Sequence, residues 1–152
     1  MTDLDPGAET LDVPTAQAAV LTVMRVFRAL ERIDTGLTAQ QYRILKLAGA
    51  GGERSARLAE RLAVAKPTLT ATADGLVAAG YAQREAEAGD RRVVRLSLTA
   101  AGRAALDRAD AAYADWLGPL LSATGDPAGV LEALGRLDVA MDERRRARKG
   151  VA

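Results

Sequence analysis

Apolar residues leave the helical spacing at only one stretch of this chain, and that departure restricts the fold more than any other feature. Up to residue 79 they recur every three or four positions, as on one face of a helix. Between residues 82 and 98 the period falls to two, with Val94, Leu96 and Leu98 alternating with Val93, Arg95 and Ser97. From Thr99 the helical spacing returns. A single hairpin set among helices predicts a mainly α fold, and 152 residues fit one domain, 1–152.

The helical stretches can be bounded by their end signals. A first helix follows Pro14 and Thr15, carries Val20, Val23, Met24, Phe27 and Leu30, and runs to about Ile33 before Gly36. Residues 1–12 are expected to form a frayed arm. Thr38-Ala39-Gln40-Gln41 is a capping box for a second helix bearing Tyr42, Leu45 and Ala48, which stops at residues 49–52. Ser55 can cap a short third helix with Leu58, Ala59 and Leu62 inward. A fourth starts at Lys66 and Pro67, buries Leu69, Ala73, Leu76 and Val77, and ends at Gly80 in a left-handed cap. Residues 82–85 form a strand, Gly89 and Asp90 a turn, and Val94, Leu96 and Leu98 belong to the return strand. Thr99 caps a long helix with Leu106, Ala109, Tyr113, Trp116 and Leu120 on one face. Asp126-Pro127 opens a last one, with Val130, Leu134, Leu137 and Met141 inward, that runs into the basic stretch 144–149.

Composition narrows the chemistry. The chain has no cysteine and no histidine, so thiol redox chemistry and metal sites built on thiolate or imidazole are ruled out, along with the commonest catalytic nucleophiles and bases. No constellation of the remaining residues suggests catalysis, and neither a cofactor nor a metal is expected. No apolar run is long enough to span a bilayer, and the acidic start is unlike a secretory signal, which predicts a cytoplasmic protein with no membrane partner. Net charge is +1 overall but unevenly spread. Residues 1–37 hold three basic against six acidic side chains, residues 38–108 twelve against seven, and residues 109–152 six against seven. The basic charge therefore gathers in the middle, as an electrostatic footprint for a polyanion would.

That middle carries a short helix, a tight turn, a second helix and a hairpin, the order of a winged helix-turn-helix. Such modules lay the second helix in the major groove of DNA. Its outward first turns here present Lys66, Thr68, Thr70, Ala71 and Thr72. Threonine hydroxyls can reach phosphates or bases, and the lysine supplies charge. The same residues would also make an ordinary solvated helix face, since the stretch has no arginine or asparagine for bidentate base readout. At the hairpin tip Asp90 precedes Arg91 and Arg92. A carboxylate there can orient a guanidinium, and arginine is favoured in a narrow minor groove. A polar turn with a surface ion pair is the plainer alternative.

The run Leu37-Thr38-Ala39-Gln40-Gln41-Tyr42-Arg43-Ile44-Leu45, then Leu58-Ala59-Glu60-Arg61-Leu62, Gly80-Tyr81, Asp90-Arg91-Arg92 and Leu96-Ser97-Leu98-Thr99-Ala100-Ala101-Gly102, resembles the MarR family of bacterial winged helix-turn-helix transcriptional regulators. The likeness extends over residues 15–141. It implies a homodimer with a winged lobe at about 38–100 and dimerisation helices at 13–35 and 100–148. It also implies binding to double-stranded DNA at a palindromic operator, and a repressor released by a small aromatic or phenolic molecule. DNA contacts would fall on Lys66, Thr68, Thr70, Ala71, Thr72, Asp90, Arg91 and Arg92, and an effector pocket on Tyr42, Tyr113 and Trp116. Three positions depart from the pattern: Ala65 stands where a serine usually caps the recognition helix, Ala71 where a basic residue is common, and Gly89, just before Asp90, where a polar residue is frequent. Sensing through cysteine or through histidine-bound zinc is closed to this chain. The weakened helix face also suits a different reading, a winged-helix protein-interaction module without specific DNA binding.

Overall fold

Most helices described in this protein begin where a side chain accepts a free N–H group of the first turn; the helix that starts at Lys66 is the exception. The computed structural model describes residues 12–49, 53–54, 58, 61–62, 64–87 and 90–150; the side chains of residues 53, 54, 87, 90–94, 149 and 150 lie outside that description. Helix α1, Val13–Leu30, is capped by Asp12, whose Oδ1 accepts from Thr15 N at 3.0 Å. These hydrogen bonds from Thr15 lower the Asp12 pKa. The helix ends at Leu30, three residues short of the predicted Ile33, because Arg32 and Ile33 close tighter three-residue turns onto Ala29 and Leu30. Helix α2, Ala39–Gly49, opens on the capping box as expected: Gln41 N donates to Thr38 Oγ1 at 3.2 Å, and Thr38 N donates to Gln41 Oε1 at 2.9 Å.

Leu58, Arg61 and Leu62 are helical, and Val64 and Ala65 lead into α3, Lys66–Ala78. The expected Ser55 cap and the Ala59 contact lie outside the described residues. Gly80, at φ +74°, turns the chain out of α3. Two strands follow, β2, Ala82–Glu87, and β3, Asp90–Leu98. Both reach farther toward the tip than the predicted hairpin. The expected two-stranded hairpin is also wider than predicted: β1, Glu53–Arg54, pairs antiparallel with β3, giving the order β1-β3-β2. Two residues are too few to display a period, so the sequence carries no strand signal there.

A compact clasp joins the sheet to helix α4, Ala100–Ala123. Thr99 N donates to Tyr81 O at 3.2 Å, Thr99 Oγ1 donates to Gly80 O at 2.6 Å, and Gly102 N donates to Thr99 Oγ1 at 3.0 Å. The helix start lies so close to Tyr81 that a Cβ on residue 102 would overlap the Tyr81 carbonyl. Only glycine fits there, which explains the Leu98-Thr99-x-x-Gly102 pattern physically. Helix α5, Pro127–Gly150, is capped by Asp126, whose Oδ1 accepts from Gly129 N at 3.0 Å.

Two compact units divide the chain inside α4, residues 1–109 and 110–152. The core belongs to the first. Ile44 and Leu45 from α2, Leu58 and Leu62, Leu69, Ala73 and Leu76 from α3, Ala82 and Leu96 from the sheet, and Leu106 from α4 form one buried cluster. Helix α1, by contrast, has no buried residue; Val20, Val23, Met24 and Phe27 are each more than half exposed. In the second unit, the inward face predicted for the last helix is not realised within the single chain. Leu134, Leu137 and Met141 are 52%, 52% and 55% exposed, and Leu120 of α4 is 49% exposed. The periodicity locates an apolar stripe but does not say what covers it.

Candidate nucleic-acid interface

Helix α3 presents the expected residues outward. Leu69, Ala73 and Leu76 are buried, while Lys66, Thr68, Thr70 and Ala71 are exposed and Thr72 is half-buried. The spacing of the buried residues sets this division, since positions three and four apart share one face. Ala65 stands at the N-cap in extended conformation and gives no side-chain cap, so the first-turn N–H groups lack a local side-chain acceptor. Two of the threonines use their hydroxyl protons locally: Thr70 Oγ1 donates to Lys66 O at 3.0 Å and Thr72 Oγ1 to Thr68 O at 2.9 Å. What these oxygens offer outward in that arrangement is lone pairs, so they act as acceptors.

Two contacts set α3 among its neighbours. Arg43 of α2 donates from Nη2 to Leu62 O at 3.3 Å, fixing the helical turn that precedes α3. Arg84 of β2 reaches Asp74 of α3, Nη2 to Oδ1, at 2.7 Å. Sequence reasoning passed over this second pair, whose members lie ten positions apart on different elements, beyond any helical or strand period.

At the far end of the sheet the ladder loses its register. Ala86 pairs with Val94 but Glu87 pairs with Asp90, which leaves Arg91, Arg92 and Val93 opposite no residue of β2. A bulge of this kind re-aims the backbone and interrupts pairing at the rim of a sheet. The backbone thus places Asp90, Arg91 and Arg92 at the wing end; the expected fork between the Asp90 carboxylate and a guanidinium lies outside the described side chains.

The aromatic candidates divide between the two units. Tyr42 packs against the core of the first, with Lys46 Nζ 5.8 Å from its ring centroid. Tyr113 and Trp116 belong to the second unit and are half-buried, three residues apart on one helix face. A cleft of about 260 Å³ in the first unit is lined by Asp34, Thr35, Gly36, Tyr81, Ala105 and Arg108, and none of the three aromatic candidates lines it. Among the described residues no three His, Cys, Asp or Glu side chains are placed to hold a metal ion, and no helix is long and apolar enough to cross a membrane.

Residues 35–93 match the sequence profile of the MarR family. The chain carries the MarR-family winged-helix fold. Among solved structures it is similar to the transcriptional regulator BldR from Sulfolobus solfataricus, with 23% identity and a TM-score of 0.70 over 84% of this chain and 97% of that one. A MarR-family transcription regulator matches with 20% identity and a TM-score of 0.68 over 91% and 93%. The Mycobacterium tuberculosis transcriptional regulator MosR, solved in complex with DNA, matches with 26% identity and a TM-score of 0.60 over 90% and 99%. No curated protein matches the chain. The MarR profile covers the helix-turn-helix segment and the hairpin as far as Val93, and so includes all eight candidate DNA contacts.

Proposed function

We propose that this protein is a MarR-type, sequence-specific regulator that binds double-stranded DNA at a palindromic operator as a homodimer, and that it acts as a repressor. The observation that carries the reading is the outward face of α3, where Lys66, Thr68, Thr70 and Ala71 stand exposed on a helix tied to the wing stem. Lys66 meets phosphate, and the first-turn N–H groups left uncapped at Ala65 are free to do the same. Thr70 and Thr72, presenting lone pairs, suit the exocyclic amines of adenine or cytosine in the major groove. Arg91, or failing it Arg92, enters the adjacent minor groove with Asp90 beside it. The MosR complex supports DNA as the partner class.

The exposed apolar residues of α1 and α5 support the homodimer. Val20, Val23, Phe27, Leu134, Leu137 and Met141 would be costly to leave in water, and a second copy covers them symmetrically. Release by a small aromatic or phenolic effector meeting Tyr42, Tyr113 and Trp116 completes the proposal. Trp116 is the only tryptophan, so its fluorescence reports that event directly. Anisotropy of a labelled duplex taken from the region beside the protein's own gene tests the reading. Saturable binding that a scrambled duplex does not compete away supports it. Equal binding to any duplex, or none, refutes operator recognition and turns the reading to a winged-helix module for a protein partner, which the alanines at 65 and 71 would suit.

A further inference from the structure

Asp74 is an awkward residue for a helix that faces a polyanion. It lies three and four positions beyond Ala71 and Thr70, so it continues the same exposed face by one turn. A bare carboxylate there would repel the phosphates that the lysine and the wing attract. Arg84 removes that problem. Ala82 is buried in the core cluster, and Arg84, two residues farther along β2, leaves the same sheet face and places Nη2 2.7 Å from Asp74 Oδ1. The side chains are 41% and 55% exposed, so the pair is wet, and pairs of that kind contribute little to folding.

We propose that Arg84 is a positioning residue for DNA binding whose task is to neutralise Asp74, keeping the end of the recognition face from repelling the duplex. The inference rests on the DNA-binding reading above. Arg84 acts through the carboxylate and makes no phosphate contact of its own, which separates it from Lys66 and the wing arginines. Its loss therefore unmasks a negative charge without removing a contact.

Affinities for one operator duplex are measured for the parent protein, Arg84→Ala, Arg84→Gln, Asp74→Asn and the double variant Arg84→Ala/Asp74→Asn, each at two salt concentrations, with melting temperatures alongside. Both single arginine variants should bind roughly fivefold more weakly, the scale of one unit charge repelled at phosphate distance in a water-like medium. The deficit should shrink at the higher salt. The double variant should return to within about twofold of the parent, and Asp74→Asn should bind at least as tightly as the parent. Arginine variants that bind like the parent overturn the proposal, and so does a double variant as weak as Arg84→Ala, because Arg84 would then be touching DNA itself. If Arg84→Ala melts early, the comparison is made on Arg84→Gln. A parent protein that binds no duplex overturns the functional reading as well; a parent that binds while the series fails overturns this inference alone.

Discussion

Replacing Gly102 by alanine should cost stability at a site where helix propensity alone says the opposite. Residue 102 lies in the first turn of α4, and alanine is favoured over glycine inside a helix by about 1 kcal/mol. Here the added Cβ would overlap the Tyr81 carbonyl oxygen and come within 2.7 Å of its carbon and 3.1 Å of Tyr81 Cα. All three are backbone atoms, so no rotamer change relieves the contact; either the helix start or the Gly80–Tyr81 turn must move. Overpacking of this kind costs about 1–3 kcal/mol. Moving the turn also loosens the bonds from Thr99 to Tyr81 O and Gly80 O, each worth about 1 kcal/mol net. Against the propensity gain, the balance is a loss of about 2 kcal/mol. Urea denaturation of the Gly102→Ala variant measures it, with Gly75→Ala in α3 as the control. Gly75 has nothing within 4 Å of a built Cβ and lies in the same unit, so its substitution should stabilise by up to about 1 kcal/mol. Equal or greater stability of Gly102→Ala would refute the clasp.

The wing gives a second expectation: Arg91→Ala, or Arg92→Ala if that arginine is the one inserted, should weaken operator binding by about 1–3 kcal/mol per subunit. Asp90→Ala should cost less, and none of the three should move the melting temperature appreciably; unchanged affinity in both arginine variants would make the wing a plain surface hairpin. Sedimentation at micromolar concentration should give twice 15.9 kDa, and Phe27→Glu or Leu134→Glu should shift the protein toward monomer; a stable monomeric parent would undo the symmetric operator reading. Thr38→Ala should lose about 1 kcal/mol of stability by removing one half of the capping box, and an unchanged unfolding midpoint would count against it. The Asp12 cap, whose pKa is lowered by Thr15, should persist above the usual aspartate value of 3.8 and be lost as pH falls through the lowered value, seen as faster amide exchange at Thr15; an exchange rate that follows only the intrinsic pH dependence would contradict it.

Local signals were the most legible. The change of period placed the hairpin, the Thr38 and Gln41 spacing placed the start of α2, and Gly80 and Thr99 bracketed the sheet, because each of these is fixed by bonding within a few residues. The outward face of α3 followed from the same logic, Leu69, Ala73 and Leu76 claiming the core and leaving the rest to solvent. What the sequence withheld depends on distant partners. Strand β1 exists only because β3 offers it an edge, and two residues carry no period of their own. Arg84 and Asp74 meet across two elements, and the need for glycine at 102 comes from Tyr81, twenty-one positions earlier. The terminal helices sit between these cases. Their stripes could be read from Val20 to Phe27 and from Leu134 to Met141, whereas their exposure in the single chain could not.

The salt dependence of duplex binding tests the central claim most directly. If Lys66 and the wing arginines of both subunits neutralise phosphates, log K should fall linearly with log salt at roughly −0.9 per contact, so about six contacts in a dimer give a slope near −5. A slope near that value, measured on the operator duplex by anisotropy between about 50 and 200 mM salt, is the predicted result. A flat response over the same range would contradict DNA as the partner of the α3 face and the wing.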